Sequence, residues 1–168
     1  PYPHHTMAKK EHVSETQATQ LLKANKVAFT EHPYEYLEHG GAMHSAEVLG
    51  LDPFTVVKTL VMQDQDAKPL LVLMHGDRKV STKELARLRE VKTVAPCDPA
   101  VAEKHSGYRV GGTSPFGTRK NMPVYLETSI LELPRIYLNG GKRGFLVAMS
   151  AADLSVLNPQ AVNVAVDI

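Results

Sequence analysis

Cysteine, tryptophan and long apolar runs are what this chain of 168 residues lacks: it has one cysteine, Cys97, no tryptophan, and an aromatic share of 6%. One cysteine excludes an intrachain disulfide and any paired-cysteine metal or redox motif, and gives no sign of secretion. No apolar stretch approaches the length needed to span a bilayer, and no signal peptide is expected before the fold. Charge of one sign is also missing. Nineteen basic against eighteen acidic residues leave a formal charge of +1. A nucleic-acid partner must therefore be met by a local patch, because there is no global positive field. No Walker loop, dinucleotide fingerprint, nucleophile elbow or His-Glu-x-x-His pair occurs. What is present is a folded composition, 43% hydrophobic and 22% charged. Its length suits one domain with a real core. Pro1-Tyr2-Pro3-His4-His5-Thr6 reads as an expression remnant, which leaves residues 7–168 as a single domain, expected in the cytoplasm.

Local patterns predict an alternation of short helices and strands. Ser14-Glu15-Thr16-Gln17 has the form of a capping box, followed by Ala18, Leu21 and Leu22 at helical spacing, with an end near Asn25. Val27 to Tyr36 reads as a strand bent at Pro33, and Ser45 to Gly50 as a short helix closed by glycine. Val56 to Gln63 and Leu70 to His75 are the two clearest core strands. Ser81-Thr82-Lys83-Glu84 opens a second helix, and Asp98-Pro99 a third that Gly107 ends. Val91 to Ala95 and Val124 to Leu126 read as strands, and 136–138 and 145–147 as a hairpin about Asn139-Gly140-Gly141. A last helix begins at Ser150 and a last strand lies near Val162 to Val166. Hairpins mixed with crossovers favour an α+β domain around a curved mixed sheet.

Lys58 stands out. It interrupts the apolar run Val56-Val57-Lys58-Thr59-Leu60-Val61-Met62 and shares a strand face with Val56, Leu60 and Met62. A cation there must pair, reach an edge or line a cleft, since unpaired burial is costly. A second signal is Gly111-Gly112-Thr113-Ser114-Pro115-Phe116-Gly117. Glycines let a backbone approach a ligand closely and aim N–H groups at phosphate or a developing oxyanion, and Phe116 offers a stacking or covering surface. The same composition also suits an ordinary tight connection. Lys79, Lys83 and Arg87 fall at helical spacing and can share a face, and Arg119, Lys120, Lys142 and Arg143 add positive charge beside the glycine loops. His32, His39 and His44 lie close in sequence with no ligand motif framing them. Cys97 sits where a helix start can lower a thiol pKa, but reads better as a small core thiol than as a nucleophile.

Taken in order, Val57-Lys58-Thr59-Leu60-Val61, His105-Ser106-Gly107-Tyr108, the 111–117 loop and Asn139-Gly140-Gly141-Lys142-Arg143-Gly144 resemble the YbaK/EbsC family of free-standing aminoacyl-tRNA deacylases. That family is related to the editing domain of bacterial prolyl-tRNA synthetases. The resemblance runs from about Thr19 to Leu157. It implies a curved mixed sheet, nearly closed into a barrel and flanked by helices, and hydrolysis of a mischarged aminoacyl-tRNA without metal or organic cofactor. It further implies Cys-tRNA(Pro), or Cys-tRNA(Cys), as substrate, with the substrate's own thiol assisting. Lys58 and Gly111 then take the catalytic positions, and Tyr34, Thr59, Gly112, Ser114, Pro115, Asn139 and Gly140 the substrate-binding ones. The implied partners are tRNA(Pro) and prolyl-tRNA synthetase, with no membrane, for a monomer or weak homodimer.

One stretch departs from the family pattern. Many relatives carry an aromatic residue and a glycine where this chain has Gly40-Gly41-Ala42-Met43. A changed pocket wall there keeps alanine and serine open as alternative amino acids. A non-catalytic nucleic-acid-binding regulator is a further alternative, against which near-neutral charge and the lack of aromatic residues interleaved in a basic patch both weigh.

Overall fold

The computed structural model describes residues 15–168; the 1–6 remnant and Ser14 lie outside the described residues. The chain opens with helix α1 (Gln17–Ala24), capped by Thr16 and Thr19 in a reciprocal box. Strand β1 (Phe29–Pro33) leads to α2 (Gly41–Leu49), which starts four residues before the predicted Ser45 and ends at Gly50 in the left-handed conformation. A 3₁₀ turn (Pro53–Thr55), capped by Asp52, delivers the chain into β2 (Val56–Asp64). Then follow β3 (Pro69–His75), β4 (Arg78–Val80), α3 (Thr82–Arg89), β5 (Val94–Pro96) and α4 (Pro99–Ser106). The Ser81 hydroxyl caps α3 as the sequence predicts, while Asp98 makes no side-chain cap on α4.

Past the glycine-rich loop come β6 (Val124–Glu127), a 3₁₀ segment (Thr128–Glu132), β7 (Arg135–Asn139) and β8 (Phe145–Ser150). The expected final helix is a 3₁₀ segment (Ala151–Leu157), and the expected last strand is two short ones, β9 (Gln160–Val162) and β10 (Ala165–Asp167).

Eight strands form one mixed sheet in the order β1-β8-β7-β2-β3-β6-β9, with β5 added on β2; β10 pairs with β4 apart from it. The sheet is not closed into a barrel, since β1 and β9 remain its ends. Side chains alternate across β3, so Leu71 and Leu73 join one core with Ala18, Leu22, Phe116 and Leu138, while Leu70, Val72 and Met74 join another with Leu85 and Val94. This two-sided burial is why β2 and β3 read as almost continuous apolar runs.

Two features position the cleft. The first is a gap in pairing along β2. Strand β3 runs beside it from Val57 to Gln63, but on the other side β7 pairs only at Val56 and Val57, and β5 only from Met62. Residues 58–61 therefore have a neighbouring strand on one side only, a stretch of about 13 Å at a strand's rise per residue. The second is a buried latch at the far end of β3. His75 is fully buried and its Nδ1 donates to the Phe54 carbonyl at 2.6 Å. Its Nε2 meets the Ser129 hydroxyl at 2.7 Å, and that hydroxyl donates to Glu127 at 3.0 Å. Glu127 also accepts from the backbone N–H groups of Val164 and Ala165 at 2.8 and 2.9 Å, which sets the last strand against β4.

Candidate active-site cleft at a break in the sheet

A cleft of about 650 Å³ opens at the gap in β2, and every residue from Val56 to Met62 lines it. One wall comes from Pro96, Cys97, Pro99 and Ala102; the opposite wall from Val110, Gly111, Thr113 and Asn139. The mouth is bordered by the β1–α2 connection, through Tyr34 and Tyr36, and by Arg143.

Lys58 lies in this cleft on a central strand, at an edge that is local to the sheet's interior. Its Nζ donates to the Arg78 carbonyl on β4 at 2.6 Å. Burial pulls its pKa below the ordinary lysine value, and the Asp77 carboxylate opposes that by favouring the charge. Asp77 itself is engaged by the Arg78 guanidinium at 3.0 Å. Lys58 is thus half-buried and oriented through a backbone carbonyl, with no carboxylate in salt-bridge contact among the described residues.

The glycine loop divides into two parts. Gly111 is exposed on the cleft wall at φ +89°, a left-handed value that favours glycine, and a Cβ there would lie 2.5 Å from the Tyr36 hydroxyl oxygen. Its carbonyl accepts from Asn139 Nδ2 at 3.2 Å, while its N–H has no partner among the described residues. Gly112, Ser114, Pro115 and Phe116 are buried and do not line the cleft. Gly112 packs against the Lys142–Arg143 backbone, where a Cβ would come within 2.8 Å. The Ser114 hydroxyl accepts from Phe116 N–H at 3.1 Å, a turn contact. Phe116 is a core residue and offers no stacking surface. Tyr108, raised by burial to about 12, anchors the turn by donating to the Phe116 carbonyl.

Of the expected site residues, Lys58, Thr59, Tyr34, Gly111 and Asn139 meet in the cleft; Gly112, Ser114, Pro115 and Gly140 support its walls from behind. Asn139 Oδ1 accepts from the N–H groups of Gly141 and Lys142 at 2.7 and 3.1 Å, so one side chain ties the β7–β8 loop to the Gly111 loop. Gly140 lies against the Phe145 ring. The structure adds Tyr36, which the sequence reading did not place at the site, and brings to it Arg143, expected as positive charge beside the glycine loops. Tyr36 stacks under the Arg143 guanidinium, 4.9 Å from the ring centroid, and Arg143 Nε donates to the Val110 carbonyl at 2.8 Å. The alternation Tyr34-Glu35-Tyr36 was the available signal, since it places both rings on one side of an extended segment. His44 and His39 border the same mouth. Among the described residues, no three His, Cys, Asp or Glu side chains gather to hold a metal ion.

One further expectation changes. Lys79 belongs to β4, so it does not share a helical face with Lys83 and Arg87, and Arg87 pairs with Glu84. Cys97 is a half-buried cleft-wall thiol; burial and then Asp98 push its pKa up, the reverse of activation by a helix start.

Comparison with known proteins gives a consistent result. Residues 38–157 match the model of the aminoacyl-tRNA editing domain. A protein of Enterococcus faecalis named "Putative Cys-tRNA(Pro)/Cys-tRNA(Cys) deacylase EbsC" is 31% identical over 156 residues, covering 92% of this chain and 95% of that protein. A proline–tRNA ligase of Levilactobacillus brevis is 25% identical over 134 residues, which are 77% of this chain but 21% of the ligase. Among solved structures, one titled as a "putative trans-editing enzyme for prolyl tRNA synthetase" superposes with a TM-score of 0.75 at 21% identity, covering 89% of this chain and 97% of that one. Among the described residues no helix is long and apolar enough to cross a membrane.

Proposed function

The chain belongs to the aminoacyl-tRNA editing domain family, and from that premise we propose that it is a deacylase that hydrolyses mischarged aminoacyl-tRNA, with cysteine on tRNA(Pro) as the principal substrate. The observation that carries the reading is Lys58: a half-buried cation amid the mostly apolar β2 segment of a cleft whose wall also includes the Gly111 loop. An aminoacyl ester is already reactive, so such a site works by holding the ester and stabilising negative charge rather than by supplying a strong nucleophile. Lys58 provides positive charge for a phosphate or for the carbonyl oxygen, and the Gly111 N–H serves as a donor to the developing oxyanion. Tyr34, Thr59 and Asn139 border the aminoacyl group.

For a cysteinyl ester the attacking atom is the substrate's own sulfur. The sulfur–carbonyl bond forms as the carbon–oxygen bond to the ribose breaks. The thiol proton ends on the ribose oxygen, and water then opens the thiolactone to free cysteine. The cysteine preference rests on the name of the E. faecalis relative. A prolyl-tRNA synthetase is the proposed partner, as the matched segments of the proline–tRNA ligases imply.

The test is deacylation of labelled Cys-, Ala-, Ser- and Pro-tRNA(Pro) and Cys-tRNA(Cys), with and without the synthetase, by the native chain and by Lys58→Ala. Hydrolysis of Cys-tRNA(Pro), sparing Pro-tRNA(Pro) and reduced about a hundredfold or more in Lys58→Ala, is the expected result, a size typical of losing one charge-stabilising donor. Full activity in the variant removes Lys58 from the mechanism. Inactivity toward every ester removes the deacylase reading.

A further inference from the structure

The gap in β2 has a definite polarity. The Val56 carbonyl accepts from Gly76 N–H on the β3 side, and the Val61 carbonyl accepts from Cys97 N–H on the opposite side. Backbone groups of successive strand residues point alternately to the two sides, so Thr59, like Val61, turns its N–H and C=O away from β3. There β7 has already ended and β5 has not begun. Cys97 takes only the Val61 carbonyl. Among the described residues the Thr59 N–H, the Thr59 C=O and the Val61 N–H consequently have no hydrogen-bond partner, and both residues line the cleft. A separate observation falls on the same residue: the Thr59 hydroxyl oxygen is buried and makes no hydrogen bond. A buried polar group left unpaired is costly, and here several backbone groups beside it are open as well.

Resting on the deacylase reading above, we propose that this open edge holds the aminoacyl group as a one-residue β-strand, with Thr59 as its pairing residue. An aminoacyl ester carries an α-ammonium donor and a carbonyl acceptor in the order that a strand residue presents them. The α-ammonium donates to the Thr59 carbonyl and the ester carbonyl accepts from the Thr59 N–H, the two-bond exchange of an antiparallel pair. Two consequences follow from strand geometry. Directly opposed residues place their side chains on the same face at about 4.5–5.5 Å. The substrate side chain therefore lies on the face of the Thr59 side chain, whose covered and unpaired hydroxyl can reach a thiol or hydroxyl by turning about χ1, a partner that a methyl cannot use. The pairing also depends on handedness, because a D-residue in the same pair turns its side chain to the other face.

The experiment uses 3′-amide analogues of aminoacyl-adenosine with the ¹⁵N-labelled chain. The L-cysteinyl analogue is expected to shift the Thr59 and Val61 amide resonances on binding. Replacing cysteinyl by 3-mercaptopropionyl, which lacks the amine, or by D-cysteinyl is expected to weaken binding at least tenfold. Binding of the L-analogue with both amides unmoved, or equal affinity for all three, overturns the pairing. Thr59→Val keeps the branched shape and is expected to lower the Cys-to-Ala ratio of kcat/KM about tenfold; an unchanged ratio removes the hydroxyl from selection. The two readings fail separately. Deacylation with a silent Thr59 amide refutes the strand pairing alone, whereas analogue-induced shifts without any deacylation refute the editing reaction and leave the pairing standing.

Discussion

At Lys58 two electrostatic effects oppose each other: burial disfavours the ammonium and Asp77 favours it, with burial the larger. The folded chain therefore releases this proton at lower pH than the unfolded chain does. Between the two pKa values the unfolded state binds more protons, so this group's contribution to stability rises with pH and is unfavourable below that window. If the charge serves the reaction, the rate falls as pH rises through a pKa below the ordinary lysine range. A pH–rate profile on a good substrate reads this directly; a rate still flat at the pH where free lysines titrate contradicts it. Lys58→Met, which removes the buried charge and keeps the chain length, is expected to lose deacylation without a lower Tm, as followed by thermal melting. Gly111 gives a contrasting case. An added Cβ meets the Tyr36 hydroxyl at 2.5 Å on a backbone at positive φ, so Gly111→Ala is expected to cost about 1–3 kcal/mol in urea denaturation and to slow deacylation as well. Wild-type stability in that variant means the loop gives way easily and does not set the position of its N–H.

Among the elements, the glycine loop takes its shape from Tyr108. Its hydroxyl donates to the Phe116 carbonyl inside the core, and burial alone raises its pKa to about 12. Tyr108→Phe leaves that carbonyl unpaired and is expected to destabilise the chain by about 1–3 kcal/mol, measured from the shift of the urea midpoint. How much of this was legible follows the strength of each local signal. Strands β2 and β3 and the Ser81 cap are readable because burial on both faces, or a cap hydroxyl and the N–H it accepts from, leave an uninterrupted local pattern. The first turn of helix α2 is hidden in the sequence because Gly40-Gly41 carries little helical propensity, whereas helical residues begin at Gly41. Strand β4, Arg78-Lys79-Val80, has no apolar alternation, since its place is set by β10 at the far end of the chain. At the cleft, lysine in an apolar run was visible, but the break in pairing beside it was not. That break depends on where β7 and β5 stop, which no property of residues 58–61 encodes. Composition likewise marked the 111–117 loop without telling that Gly111 faces the cleft and Ser114 and Phe116 the core.

For the whole molecule, the chain end and the site are connected through one carboxylate. Glu127 fixes the N–H groups of Val164 and Ala165, β10 pairs with β4, and the first residue of β4 supplies the carbonyl that holds Lys58. Glu127→Gln keeps the shape but weakens charge-assisted bonds, each worth about 1.5–3 kcal/mol. It is expected to lower global stability by a similar amount and to loosen β10, seen as faster amide exchange at residues 165–167. Unchanged exchange there means that β10 is held by its pairing with β4 alone. The unpaired stretch of β2 bears, finally, on self-association. A bare strand edge recruits other chains, and the segments that build fibrils are six or seven residues long. Here β7 and β5 close the stretch at both ends after residues 58–61, and the Pro96–Ala102 wall flanks it. The edge is long enough to hold a single amino acid and too short to seed a fibril, so the chain keeps backbone groups free for a ligand without offering them to its own copies.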